Sequence, residues 1–212
     1  MRYNAVIFDC DGVLVDSETL SCTATADTMN AWGIKTDLQE VKRFIGKSKR
    51  EFFKYFEARD GIRIDVEPVN QAIVARYMEM ADRLRPMPGV KDVLHKLSGL
   101  KIPVAVASSG NHTQIRFSLG KTGLLPYFKV VCSAFDVPRG KPDPDLFLYA
   151  ADRLQTAPDR CVVVEDSVYG ITAGKRAGML TIGYASSFPE AELRKAGADL
   201  VIRDFGSFFE VV

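Results

Sequence analysis

Four short stretches, far apart in the chain, carry the residue types that handle phosphate: Asp9-Cys10-Asp11-Gly12, Ser108-Ser109-Gly110, Gly140-Lys141-Pro142 and Glu165-Asp166. Carboxylates, a hydroxyl beside a glycine turn and one ammonium suit phosphoryl transfer, where a protein contributes positioning and charge compensation more than covalent chemistry. The acids alone would repel a phosphate. A divalent cation resolves that conflict, and hard oxygen donors with retained water point to Mg²⁺ over zinc or copper. With the cation in place one carboxylate can attack phosphorus, giving an aspartyl-phosphate that water then hydrolyses. Singly, each residue has an ordinary use: Ser108, Ser109 and Asp166 suit helix caps, and Lys141 suits a solvated loop. Jointly, all of them must fall at strand ends.

Those ends follow from the apolar runs. Ala5-Val6-Ile7-Phe8, Val104-Ala105-Val106-Ala107, Cys161-Val162-Val163-Val164 and Leu180-Thr181-Ile182-Gly183 read as strands covered on both faces, with weaker candidates at 129–132 and 200–202. Helical patterns lie between them, for example Val90 to Leu97 and Asp145 to Leu154. This alternation predicts a doubly wound α/β domain with a parallel sheet, in which ligands bind at the carboxyl ends of the strands. From about Ser17 to Arg85 the alternation stops. Phe44, Phe52, Phe53, Phe56 and then Val69, Ile73, Val74 and Tyr77 recur at helical spacing, so a small helical bundle is inserted after the first strand. Pro86-Met87-Pro88-Gly89 marks the return. The expected division is a discontinuous core of residues 1–15 and 87–212 with a helical domain of 16–86.

With 212 residues, 47% hydrophobic and 26% charged, the chain can bury one good core and a small accessory domain. A net charge of +1 supplies no long-range pull toward nucleic acid or an anionic membrane, so any anion must be held locally. The first apolar run is too short to span a bilayer and leads into acids where a signal peptide needs its cleavage site, which predicts a cytoplasmic protein. Cys10, Cys22, Cys132 and Cys161 show no zinc-like spacing and read as reduced, buried thiols. Alternation should turn Cys10 away from its acidic neighbours into packing. The two histidines, His95 and His112, leave little material for a His-dependent triad or a zinc site, and His112 could at most brush a substrate.

Asp9-Cys10-Asp11-Gly12-Val13, Ser108, Lys141 and Glu165-Asp166 resemble, in order and strand-end context, the four motifs of the haloacid dehalogenase superfamily, and the helical insertion matches as well. The resemblance implies a Rossmann-like core and a phosphatase acting on a small phosphorylated metabolite. It implies Asp9 as nucleophile and Asp11 as the acid and base that protonates the leaving oxygen and then activates water. The Asp9 and Asp166 side chains and the Asp11 carbonyl would hold Mg²⁺, with Glu165 assisting directly or through a water. Ser108, the backbone of Ser109 and Gly12, and Lys141 would bind phosphate.

The insertion resembles the mobile cap of this family, where specificity resides. Candidate substrate contacts are Glu18, Ser21, the turn containing Gly46, Lys47 and Lys49, and Arg76, with Asn111 after the serine motif. A solvated helix start is the competing reading of the basic turn. The beta-phosphoglucomutase branch shares these motifs but carries a cap histidine where this chain has Ser21, and its cap arginine and lysine are exchanged here as Lys49 and Arg76. Hydrolysis of a sugar phosphate, sugar-acid phosphate or phosphoglycolate-like compound is therefore expected, with mutase chemistry as the alternative. Carbon-halogen displacement does not need Asp11, and a phosphonate hydrolase would need a cap lysine able to form a Schiff base. A reading from another class is a phospho-acceptor or phosphate-sensing module, against which Asp11 and the large insertion argue. The expected partner is a small metabolite, with no nucleic acid or membrane, and the expected state is a monomer or weak homodimer.

Overall fold

Unbroken apolar runs become strands covered on both faces. In the computed structural model, which describes residues 3–45 and 49–211, these are β1 (Ala5–Phe8), β2 (Val104–Ser108), β3 (Val130–Ser133), β4 (Cys161–Glu165), β5 (Leu180–Tyr184) and β6 (Leu200–Ile202). They pair in parallel in the order β3-β2-β1-β4-β5-β6. The order reverses at β1: β2 and β3 build outward on one side, then the chain crosses to lay β4, β5 and β6 on the other. The carboxyl ends of β2, β1 and β4 therefore border one crevice, where ligands of this doubly wound α/β architecture bind.

The helices, in chain order, are α1 (Glu18–Ala31), α2 (Leu38–Lys42), α3 (Lys49–Asp60), α4 (Val66–Glu79), α5 (Val90–Gly99), α6 (His112–Lys121), α7 (Asp145–Arg153), α8 (Val168–Arg176), α9 (Glu190–Lys195) and α10 (Phe208–Val211). Strand alternation sends Ala5 and Ile7 to one face of the sheet, where Leu146, Phe147 and Ala150 of α7 and Ala173 of α8 cover them. Phe8 points to the other face, against the rings of Phe128 and Phe208, each 6.3 Å away between centroids. No helix among the described residues is long and apolar enough to cross a membrane.

The chain divides into two compact units, Met1–Asp16 with Arg85–Val212, and Ser17–Leu84. In the first, the outgoing and returning segments run side by side: Asp16 N donates to Arg85 O at 3.0 Å and Met87 N to Leu14 O at 2.9 Å. The second has its own core, in which Phe52, Phe53 and Phe56 of α3 meet Met29 of α1, Val41 of α2 and Val69 of α4, with Phe44 and Ile73 at its edge. Val74, expected on the same apolar face, is instead 51% exposed. Val69 and Ile73 share a stripe because they are four apart, and the next residue turns about 100° away.

Candidate active site

Asp9 directly follows β1, and its N–H donates to Val164 O at 3.0 Å, which carries the sheet one residue past the strand and fixes the acid over the crevice. Cys10, the next residue, is buried, as packing requires. The chain then turns at Gly12, whose φ of +77° suits glycine. Gly12 N donates to Val15 O, while Leu14 N and Val15 N share Cys10 O, so the turn closes on itself and leaves Asp11 exposed at its tip. A side chain at Gly12 would place Cβ 2.0 Å from Asp166 Oδ2, so the Asp166 carboxylate lies flush against this turn.

At the end of β2, Ser108 is buried and its Oγ accepts from Gly110 N at 3.1 Å. Its hydroxyl proton remains to be given. Helix α6 is capped by neither Ser108 nor Ser109 but by Asn111, which accepts from Gln114 N at 2.9 Å in a reciprocal capping box. Asn111, expected near substrate, thus spends its side-chain oxygen on the helix. Ser133, at the end of β3, ties this loop down by donating to Gly110 O at 2.7 Å. Asp136 closes the arrangement, accepting from Ser133 N at 2.9 Å and lying 2.8 Å from His112 Nε2.

Lys141 enters from the loop before α7. Its ammonium is buried and donates to Asp9 Oδ1 at 2.5 Å, Glu165 Oε1 at 2.6 Å and Ala107 O at 3.0 Å, which uses all three N–H bonds. The Phe147 ring lies 5.0 Å away. Burial works against the Lys141 charge, but Asp9 and Glu165 outweigh it and hold its pKa above the ordinary lysine value. Asp9 moves the other way. Burial pushes its carboxyl up to about 7, opposed by Lys141 and reinforced by Glu165 and Asp11.

The acids at the end of β4 differ in task. Glu165, expected to assist the metal, gives one oxygen to Lys141 and the other to Ser167, whose N–H and Oγ donate to Oε2 at 2.8 and 2.9 Å. Held at both oxygens, Glu165 is a partner of the lysine. Gly170 of α8 makes room for it, since a Cβ there would fall 1.8 Å from the Glu165 carboxyl. Ser167, not Asp166, caps α8, accepting from Gly170 N at 3.0 Å. Asp166 Oδ2 instead accepts from Ser187 Oγ, with Ser186 Oγ 3.4 Å away.

Does a hard divalent cation fit? Two buried carboxylates, those of Asp9 and Glu165, face the single ammonium of Lys141, and Asp166 beside the Gly12 turn is buried as well. That acidic excess, which adds to burial in raising the Asp9 carboxyl, is what a dication offsets. The carboxylates of Asp9 and Asp166 with the Asp11 carbonyl make a hard-oxygen donor set of the kind that suits Mg²⁺ with retained waters. Among the described residues no three His, Cys, Asp or Glu side chains gather as a metal group.

The helical unit presents its candidates separately. Glu18 lies half-buried in the first turn of α1 and Ser21 is exposed on the same helix. Arg76, expected to meet substrate, is paired with Asp27 at 2.8 Å and Glu79 at 3.2 Å, so its charge is already answered. Gly46, Lys47 and the side chain of Lys49 lie outside the described residues. Sequence reasoning missed Ser133, Ser167, Ser186 and Ser187. Ser186 and Ser187 stand just beyond an apolar run recognised as a strand, and the strand-end rule applied there would have found them.

A sequence profile of the haloacid dehalogenase-like hydrolases matches residues 6–184. The 6-phosphogluconate phosphatase of Escherichia coli is 36% identical over 183 residues, covering 84% of this chain and 80% of that protein. The phosphorylated carbohydrates phosphatase of Thermotoga maritima is 31% identical over 205 residues, 94% of either chain. Among solved structures, a HAD family hydrolase from Deinococcus radiodurans with bound phosphate and sodium aligns with a TM-score of 0.87 at 27% identity, over 98% of this chain and 93% of that one.

Proposed function

The chain belongs to the haloacid dehalogenase-like hydrolase family and is a phosphoric monoester hydrolase, and from that premise we propose that it cleaves phosphorylated sugars or sugar acids through a phosphoaspartate on Asp9. Lys141 carries this reading: its ammonium bridges Asp9 and Glu165 inside the crevice, beside the buried hydroxyl of Ser108. A phosphoryl group placed there meets a carboxylate nucleophile, a cation and a hydroxyl donor together.

In the proposed reaction an Asp9 oxygen bonds to phosphorus as the ester P–O bond breaks. Asp11, exposed at the turn, gives a proton to the departing oxygen. It then takes a proton from the water that attacks phosphorus, and Asp9 leaves as a carboxylate. Ser108 and the N–H of Ser109 hold the phosphoryl oxygens, with the Lys141 charge beside them; the Gly12 N–H, expected to share in this, is already given to Val15 O. Asp9, Asp166 and the Asp11 carbonyl would hold Mg²⁺, which when bound neutralises charge on the nucleophile and the phosphate. The names of the two phosphatase relatives support a polyhydroxylated substrate. We assign the Ser17–Leu84 unit the role of cap, with Glu18 and Ser21 as its contacts to the organic portion. The four buried free thiols favour a reducing, cytoplasmic setting.

The test is phosphate release from a panel of sugar phosphates, sugar-acid phosphates and phosphoglycolate with Mg²⁺, run beside Asp9→Asn. Release from the sugar or sugar-acid members by the wild type alone supports the proposal. Conversion of beta-glucose 1-phosphate to its isomer without phosphate release would establish mutase chemistry instead, and equal release by Asp9→Asn would reject the mechanism.

A further inference from the structure

The chain leaving β5 turns back sharply: Ala185 N still donates to Ile202 O at 2.9 Å, and Ser186 N donates to Tyr184 O at 2.8 Å. This turn delivers two hydroxyls to the crevice. Ser186 Oγ donates to Gly12 O at 2.7 Å, and Ser187 Oγ donates to Asp166 Oδ2. A hydroxyl has a single proton to give, so each serine is committed to one acceptor. Neither serves as a helix cap, because α9 begins after Pro189 and has no side-chain cap.

We propose that Ser186 and Ser187 form a positioning clamp that orients the cation ligands of this chain, an inference that rests on Asp166 and the Asp11 carbonyl holding Mg²⁺. The Asp166 carboxylate is held from two sides. Gly12 bounds it on one side, with no room for even a Cβ, and the Ser187 hydroxyl pins one oxygen on the other. Ser186 fixes the Gly12 carbonyl, and with it the turn that presents the Asp11 peptide. Both hydroxyls act on ligands, whereas the pairing of Asp9 with Lys141 is built from other elements. Outer partners of this kind set metal affinity, because an unpinned ligand must be ordered when the ion binds.

The clamp is tested by titrating Mg²⁺ into the whole chain without substrate and following the rise in melting temperature, which reports affinity independently of turnover. The comparison is wild type, Ser187→Ala, Ser187→Thr and Asp166→Asn. Ser187→Ala should need about 10-fold or more Mg²⁺ for the same rise, while Ser187→Thr, which keeps the hydroxyl, needs less than about threefold more. Loss of response in Asp166→Asn beside a wild-type response in Ser187→Ala overturns the clamp alone. A wild-type response in Asp166→Asn overturns the cation reading as well. Should Ser187→Ala fail to fold, Ser186→Ala carries the same expectation and the same refutation through the Gly12 carbonyl.

Discussion

Lys141 Nζ and Glu165 Oε1 lie 2.6 Å apart in the interior of the crevice, and the same ammonium is 2.5 Å from Asp9. Two acids thus share one cation. Glu165 draws the lysine toward β4 and keeps it from collapsing entirely onto the nucleophile. An ion pair this buried is costly to break by halves, because the remaining charge stays where solvent cannot reach it.

Replacing Glu165 by Gln presents an NH₂ group either to the ammonium or to the Ser167 donors, so one hydrogen bond becomes a donor–donor clash. Lys141 is then left to Asp9. The expected result is a fall in kcat of about 10- to 100-fold, the usual range for an outer partner, with Mg²⁺ affinity little changed. Steady-state kinetics at several Mg²⁺ concentrations check it. A large loss of Mg²⁺ affinity at retained kcat would return Glu165 to the metal.

The Asp9 carboxyl gives a pH dependence whose sign is fixed. Its pKa in the folded chain, about 7, lies above the ordinary 3.8. Between those values the native state holds a proton that the unfolded state has released, so stability falls as pH rises and the full cost is present above about 7. Asn at this position carries no such cost and leaves Lys141 paired with Glu165. In chelator, Asp9→Asn should melt above the wild type by several degrees at pH 8, and the gap should close toward pH 4. Added Mg²⁺ should narrow it at pH 8. Thermal melts across pH measure both, and a gap that widens toward acid would contradict the assignment.

Much of this was legible in the sequence, for physical reasons. A buried parallel strand must be apolar on both faces, so the runs at 5–8, 104–107, 161–164 and 180–183 announced the sheet, and the residues after them announced the crevice. What each acid does there was less legible. Glu165 and Asp166 are neighbours on one strand end, and only the alternation of side chains, the arrival of Lys141 and the serines after β5 separate their tasks. Arg76, expected as a substrate contact, is answered by Glu79 one turn along its own helix and by Asp27 on a different helix, and the second pairing has no local signal in the sequence. The cap on α6 fell to Asn111, which left Ser108 to its loop.

Gly170 offers a test of packing around Glu165 that no motif suggested. A methyl group there would stand 1.8 Å from the Glu165 carboxyl, which Lys141 and Ser167 hold from the other side. Gly170→Ala should cost about 1–3 kcal/mol of stability, the range for overpacking, and lose activity by displacing Glu165. Chemical denaturation together with a kinetic assay checks it. Unchanged stability and turnover would mean that Glu165 is not confined as described.

The most direct measurement of the central claim is reductive trapping of the enzyme during turnover. Borohydride converts an aspartyl-phosphate to homoserine, and peptide mass spectrometry locates the converted residue. The account expects homoserine at position 9, formed only with substrate and Mg²⁺ and absent from Asp9→Asn. Conversion at Asp11 or Asp166, or none at all under conditions of rapid phosphate release, would contradict it.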